Sequence, residues 1–270
     1  MTSADYHQRF GGIARLFGAA GLERLRMAHV CVIGVGGVGS WTVEALARSG
    51  VGAITMIDLD DICVTNVNRQ LPALDGFIGR SKVEVLAERV QAINPGCLVT
   101  MEPAFFTASN AERLLAPGYT FVVDAVDRMN HKLVIVTECH QRRIPVLTVG
   151  GAGGRRDGTL VQVVDLAESK QDELLKQLRR KLRREYGFKP GKRSHFGIPC
   201  VYSPERPQYP WADGSVCLEP EAGTGLRLDC DSGFGTASFV TAAFGFAAAG
   251  EVVRRIADAT QQEARVPPLL

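Results

Sequence analysis

Twelve residues constrain this chain more than any others: His29-Val-Cys-Val-Ile-Gly34-Val-Gly-Gly-Val-Gly39-Ser40, an apolar run that empties into a glycine-rich turn and then a helical pattern. Glycines at a strand end let the backbone approach a ligand closely and take φ values that a Cβ forbids. The helix behind them presents unpaired N–H groups and the positive end of its dipole. Together they make a phosphate cradle around Gly36 to Ser40. The spacing Gly34-x-Gly36-Gly37-x-Gly39 satisfies the dinucleotide fingerprint and adds a central glycine, so the turn alone does not say which nucleotide it holds.

The turn sits in an alternating pattern. Val30–Gly34, Ala53–Asp58, Leu98–Met101, Thr120–Ala125 and Val146–Val149 are short apolar or β-branched runs, and Val38–Ser49, Ser81–Ile93, Ser109–Ala116 and Asn130–Arg142 between them read as helices. Ser81-Lys-Val-Glu84 reads as a capping box, and Asn94-Pro95 stops the helix it opens. Such alternation predicts an α/β fold: a doubly wound, Rossmann-like, mostly parallel sheet with right-handed crossovers. Its ligands bind at the carboxyl ends of the strands.

After Gly150 the pattern changes. Gly150-Gly-Ala-Gly-Gly154 reads as a flexible joint, Thr159–Val164 as a strand, and Ser169–Tyr186 as a helix with Leu174, Leu178, Leu182 and Tyr186 on one stripe. Residues 187–230 hold six prolines and little periodicity, and a loop of that length is functional or mobile. Thr236–Ile256 reads as a buried closing helix. The expected organisation is a nucleotide-binding domain over 1–165, a basic and loop-rich extension packed on it over 166–260, and a disordered tail over 261–270.

At 270 residues the chain can bury a substantial core, and a net charge of +2 does not by itself point to nucleic acid. Ser232–Gly250 is free of charge, but its Gly, Ala, Ser and Thr content favours a core helix over a membrane span. The seven cysteines (31, 63, 97, 139, 200, 217 and 230) include no Cys-x-x-Cys pair, which argues against a zinc held by two such knuckles. The N-terminus carries Asp5, Arg9 and Arg15 where a secretory leader would be apolar, so free thiols in a reducing cytoplasm are expected.

Asp58-Leu-Asp60-Asp61 follows the second strand, where one acid of a dinucleotide-binding fold holds a ribose hydroxyl. Asn66-Val-Asn-Arg69-Gln70, Lys82 and Asp124-Ala-Val-Asp127 then gather two cations, a carboxamide and a carboxylate at one strand-end crevice. A hydride-transfer enzyme has no need of that set. A triphosphate does, since Arg and Lys neutralise its oxygens and an Asp can hold Mg²⁺.

Gly34-x-Gly-Gly-x-Gly39, Asp58-x-Asp60, Asn66-x-x-Arg69-Gln70, Lys82 and Asp127 resemble the HesA/MoeB/ThiF family, the bacterial relatives of ubiquitin-activating enzymes, over about residues 7 to 165. The resemblance implies ATP and Mg²⁺ as ligands and adenylation of a carboxylate. Asp58 would hold the ribose; Asn66, Arg69 and Lys82 would orient the phosphates, with Gln70 beside them, and Asp127 would hold the metal. It also implies a homodimer in which Arg9, within His7-Gln-Arg-Phe-Gly-Gly12, reaches the partner's ATP. A monovalent cation near the glycine loops is left open.

Members that adenylate sulfur-carrier proteins usually carry two Cys-x-x-Cys pairs, and this chain departs from them. Gln8-Arg-Phe-Gly-Gly12, Cys63-Val-Thr-Asn-Val-Asn-Arg-Gln70, the run Gly150–Gly154 and Asp229-Cys-Asp-Ser-Gly-Phe-Gly235 instead look like the branch that cyclises a threonylcarbamoyl group on a tRNA adenosine beside the anticodon, at the expense of ATP. The charge pattern agrees on tRNA. Lys176, Arg179, Arg180, Lys181, Arg183, Arg184, Lys189, Lys192 and Arg193 are relieved by one acid, Glu185, and Phe188 and His195 follow as aromatic groups that could stack a base. Cys230 is singled out as a group that could accept an acyl group or sulfur, set against the reading of a small buried residue. The alternative function is an adenylyltransferase acting on a ubiquitin-like sulfur-carrier protein, with sulfur transfer through a cysteine; a cysteine-desulfurase sulfur-transfer system is left open as a partner.

Overall fold

A computed structural model describes residues 2–189, 195–221 and 233–259. Seven strands form one sheet in the order β3-β2-β1-β4-β5-β7-β6, where β1 is His29–Ile33, β2 Ala53–Ile57, β3 Leu98–Glu102, β4 Phe121–Asp124, β5 Val146–Val149, β6 Gln162–Asp165 and β7 Pro199–Tyr202. All neighbours pair in parallel except β6, which runs antiparallel to β7. The sheet is therefore doubly wound and mostly parallel, as the alternation requires. Strand order reverses between β1 and β4, which opens a crevice at their carboxyl ends.

The central strands are apolar without alternation because both faces are covered. On one face, helices α1 (Ser3–Met27), α2 (Gly39–Arg48), α3 (Lys82–Ile93) and α7 (Ser238–Asp258) enclose a core of Val30, Val32, Ile54, Met56 and Phe244. On the other, α4 (Ala111–Leu115), α5 (Met129–Gln141) and α6 (Glu173–Glu185) enclose Cys31, Ile33, Val122, Ile135 and Leu178. A small hairpin, β8 (Tyr209–Pro210) with β9 (Val216–Cys217), lies outside the sheet.

Helix α1 is absent from the sequence reading. It opens on a true capping box between Thr2 and Asp5, buries Tyr6, Phe10, Leu22 and Leu25, and is broken by Gly18 at φ +76. Conversely, Ser81 caps α3 without any side-chain bond. The Lys82 N–H donates to the Asp60 carbonyl instead, so backbone from the loop after β2 replaces the expected box.

The C-terminal half departs further. Strand β6 begins later than expected, after a 3₁₀ turn at Gly158–Leu160 capped by Asp157. Strand β7 emerges from the proline-rich segment and slots between β5 and β6. The glycine run is tied down rather than flexible: the N–H groups of Gly150, Gly151 and Gly154 donate to the Val201 carbonyl, Asp172 Oδ2 and the Gly235 carbonyl. Helix α7 lies directly behind α2, so close that a Cβ on Gly245 would fall 2.7 Å from Trp41 Cβ. No helix among the described residues is long and apolar enough to cross a membrane.

Candidate active site

The glycine turn closes the end of β1. Gly34 takes φ +82 and its N–H donates to the Ile57 carbonyl at 2.9 Å. A Cβ on Gly39 would lie 1.8 Å from the Gly34 carbonyl oxygen, so only glycine lets α2 start this near the strand. No side chain caps α2 at Val38; of its first-turn N–H groups the Ser40 one is taken by the Gly36 carbonyl, and the others are left to whatever lies in the crevice. Asp58 braces the turn from the end of β2, its Oδ2 accepting from the Val35 N–H at 2.8 Å and its Oδ1 from the Asp60 N–H at 2.9 Å. Burial pushes the Asp58 carboxyl above the ordinary range, opposed by the Lys82 charge and these two donors.

Lys82, the first residue of α3, is 5% exposed and donates to Asp60 Oδ2 at 2.9 Å. Asn66 is buried at the end of a 3₁₀ turn, where its Oδ1 accepts from the Cys63 N–H. Arg69 and Gln70 lean on the glycine turn itself. A Cβ on Gly37 would sit 3.7 Å from Arg69 Cγ, and one on Gly36 would sit 3.6 Å from Gln70 Nε2. The Gln70 side-chain oxygen is buried with no partner among the described residues. Arg69 donates to the Thr65 carbonyl at 2.6 Å and to Asn68 Oδ1 at 3.1 Å, both exposed bonds that a stronger acceptor can replace. Its own carbonyl accepts from Trp41 Nε1 and Thr241 Oγ1, so α2 and α7 hold the loop in place. A cleft of about 460 Å³ opens beside Arg69, between Val64–Asn68 and Phe234–Thr236.

At the end of β4, Asp127 is exposed and has no hydrogen bond or ion pair among the described residues. Below it lies a group the sequence reading missed. Lys132, fully buried, donates to Asp124 Oδ2 at 2.8 Å and to Thr148 Oγ1 at 3.2 Å, and the Thr148 hydroxyl donates to the same Asp124 oxygen at 2.6 Å. The available signal was a lysine one turn into a helix, immediately ahead of the apolar run Leu133–Val136.

Arg9 does not enter this crevice. It lies on α1 and donates to the Ile93 carbonyl at 3.3 Å, at the far end of the helix that Lys82 begins. Lys82 and Ile93 are the two ends of this 12-residue helix, about 16 Å apart along its axis.

The basic helix α6 divides by exposure. Leu175, Leu178 and Leu182 form its buried stripe, while Leu174 is half-buried and Tyr186 is 41% exposed, so the expected stripe is shifted. Lys176, Arg180, Arg184 and Lys189 face outward. Arg179 and Arg183 turn partly inward, Arg179 onto the Ser169 hydroxyl, where burial pulls its guanidinium below the ordinary value, and Arg183 over the Phe196 ring at 5.4 Å. Lys181 is also half-buried. Phe188 packs on His140 and Phe196, and exposed His195 pairs with Asp165 at 3.3 Å. The N-cap Asp172 holds the Gly151 N–H, so α6 starts at the strand-end side of the molecule. Cys230, Lys192, Arg193 and the tail 261–270 lie outside the described residues.

A glycine cradle behind β1, acids at the ends of β2 and β4, and two exchangeable cations between them define a nucleotide-binding α/β protein whose crevice suits a polyphosphate. The chain belongs to the ThiF family, whose sequence model matches residues 11–267. It is 46% identical over 257 residues to the tRNA threonylcarbamoyladenosine dehydratase of Escherichia coli K12, covering 95% of this chain and 96% of that one. A solved structure named TcdA (CsdL) superposes with a TM-score of 0.86 at 44% identity, covering 95% and 96% of the two chains. The E. coli tRNA N6-threonylcarbamoyladenosine dehydratase in complex with ATP superposes with a TM-score of 0.82 at 42% identity, with the same coverage.

Proposed function

We propose that this protein is an ATP-dependent enzyme that dehydrates threonylcarbamoyladenosine in tRNA. The observation that carries the reading is the convergence of Arg69, Gln70 and the Asp60-paired Lys82 on one glycine cradle, in a chain similar over nearly its whole length to dehydratases of that name. The threonyl carboxylate oxygen attacks the α-phosphorus of ATP and pyrophosphate leaves. The carbamoyl nitrogen of the same nucleoside then attacks the activated carbonyl carbon, AMP departs with the carboxylate oxygen, and the nitrogen loses its proton. The net change is loss of water, aided by the nearness of two groups within one nucleoside.

The chain's residues supply orientation and charge. The α2 N–H groups and the glycines receive phosphate. Asp58 keeps lone pairs beyond its two backbone bonds for a ribose hydroxyl. Arg69 and Lys82 exchange Thr65 and Asp60 for phosphate oxygens. Asp127, open to solvent at the strand end, fits the single-carboxylate mode in which Mg²⁺ is shared with phosphates, and the ion when bound neutralises charge there. Since Arg9 stands at the far end of α3 from its own crevice, it acts, in this reading, across a homodimer. The outward face of α6 follows the tRNA backbone. The protein works in the cytoplasm, and no step consumes sulfur, so a cysteine-desulfurase partner is not required.

The test is mass spectrometry of nucleosides from threonylcarbamoylated tRNA incubated with the protein and ATP. Loss of one water from the modified nucleoside is expected, and its disappearance with Arg69→Ala. Pyrophosphate release that ignores this tRNA and depends on a small carrier protein would overturn the reading.

A further inference from the structure

Asp124, Lys132 and Thr148 touch no solvent. Every acceptor site they offer is turned inward: Asp124 Oδ2 takes the lysine and the threonine, and Asp124 Oδ1 takes the Val126 N–H at 3.2 Å. That last bond carries their influence outward, because Val126 belongs to the turn that bears Asp127. The same turn is wedged against the nucleotide cradle. The Ala125 N–H donates to the Ile33 carbonyl at 2.9 Å, and a Cβ on Gly34 would lie 3.0 Å from Val126 Cγ1 and 3.1 Å from the Ala125 carbonyl carbon. Lys132 is one turn into α5, so the group also fixes where α5 departs from β4 and β5. A buried ion pair is not needed for stability, since apolar groups of similar volume serve a core as well or better. Its position under the one turn shared by the cradle and Asp127 gives it another use.

We infer that Lys132, through Asp124 and Thr148, is a positioning residue that sets the height of the Ala125–Asp127 turn against the glycine cradle, so that Asp127 meets the metal ion carried by the bound triphosphate. The inference rests on the assignment of Asp127 to Mg²⁺ in the proposed function. Lys132 touches neither nucleotide nor metal, and its effect is on the geometry of a residue that does. Supporting groups of this kind typically change metal affinity by about 10- to 100-fold.

The experiment compares the full-length wild type with Lys132→Met, Thr148→Val and the double variant Asp124→Asn/Lys132→Met, which removes both charges and leaves none stranded. Each is titrated calorimetrically with a non-hydrolysable ATP analogue, with and without Mg²⁺, and its thermal midpoint is measured. The expected result is that affinity without Mg²⁺ is unchanged while the gain conferred by Mg²⁺ falls about tenfold or more in the double variant and less in Thr148→Val. The Mg²⁺ concentration for half-maximal turnover should rise in step. A double variant that melts like the wild type and keeps the full Mg²⁺ gain would overturn the inference, because the pair would then only fill the core. Should the single lysine variant not fold, the other two still decide. A wild type that shows no Mg²⁺ gain, or an Asp127→Ala variant that keeps it, would instead reject the assignment of Asp127 on which the inference stands.

Discussion

Lys82 and Lys132 are both buried lysines that end on an aspartate at the carboxyl edge of one sheet, and they differ in what their partners can give up. Asp60 is 53% exposed, so Lys82 can leave it for another anion and water takes over the carboxylate. Asp124 is sealed, and parting it from Lys132 would strand two charges in an apolar core. A cation that must greet a ligand is paired with an open acid, and one that must hold a turn is paired with a closed one. Sequence spacing shows neither difference, since both are a lysine following an aspartate at a strand end.

The sharpest way to break this comparison is to remove each ammonium. Lys132→Ala is expected to cost about 3–5 kcal/mol of unfolding free energy in urea denaturation, because Asp124 is left buried without its partner. A loss below about 1 kcal/mol would mean that Asp124 finds water and the two pairs are alike. Lys82→Ala should lower ATP-dependent turnover by about 100- to 1000-fold, the scale for removing a donor aimed at developing charge. Its unfolding free energy should move by less than about 1 kcal/mol, since exposed Asp60 is simply hydrated.

Two smaller effects sharpen the contrast between ligand-facing and structural charges. Replacing outward-facing Arg180 and Arg184 with Ala should weaken tRNA binding, and the slope of log affinity against log salt should become shallower by about one for each phosphate that is no longer neutralised. The same substitution at inward-turned Arg183 should leave that salt slope unchanged. Glu44 on α2 supplies a structural pair of intermediate burial, accepting from Arg89 at 2.6 Å and Arg48 at 2.7 Å. Burial alone would raise its carboxyl, but the bonds from Arg89 and Arg48 hold it below the ordinary glutamate value. A depressed folded value means that this contribution is complete above the unfolded value and is lost as pH falls through the folded one. Denaturation of Glu44→Gln at about pH 7 and about pH 3 should therefore show less acid sensitivity than the wild type.

The parts of the fold legible in the sequence are those encoded locally. The cradle, β1, β2, β4, β5 and α2 announce themselves because a doubly covered strand is apolar throughout and its turn needs glycine. The grouping of Arg69, Gln70 and Lys82 with that cradle also followed from spacing, since the strand order brings successive loops to one edge. Helix α1 escaped because Gly18 breaks its periodicity into two short pieces. Strand β7 escaped because a few residues within a proline-rich stretch become a strand only by pairing with β5, which is distant in the chain. The shifted leucine stripe of α6 turns on Leu175, whose side chain lies against Gly150 just after β5, a neighbour distant in the chain. Lys132 escaped for a simpler reason: a charge on a helix reads as surface until something shows the acid waiting beneath it.

Gly245 has a consequence for how the molecule comes into being. The cradle and α2 are synthesised early, but the wall against which α2 packs is α7, which leaves the ribosome long after them. Until that helix arrives, Trp41 lacks its Phe246 neighbour, and the carbonyl of Arg69 has the Trp41 indole bond but not the Thr241 hydroxyl. The nucleotide crevice is therefore walled by two segments far apart in the chain, and the contacts that complete it are among the last that synthesis supplies.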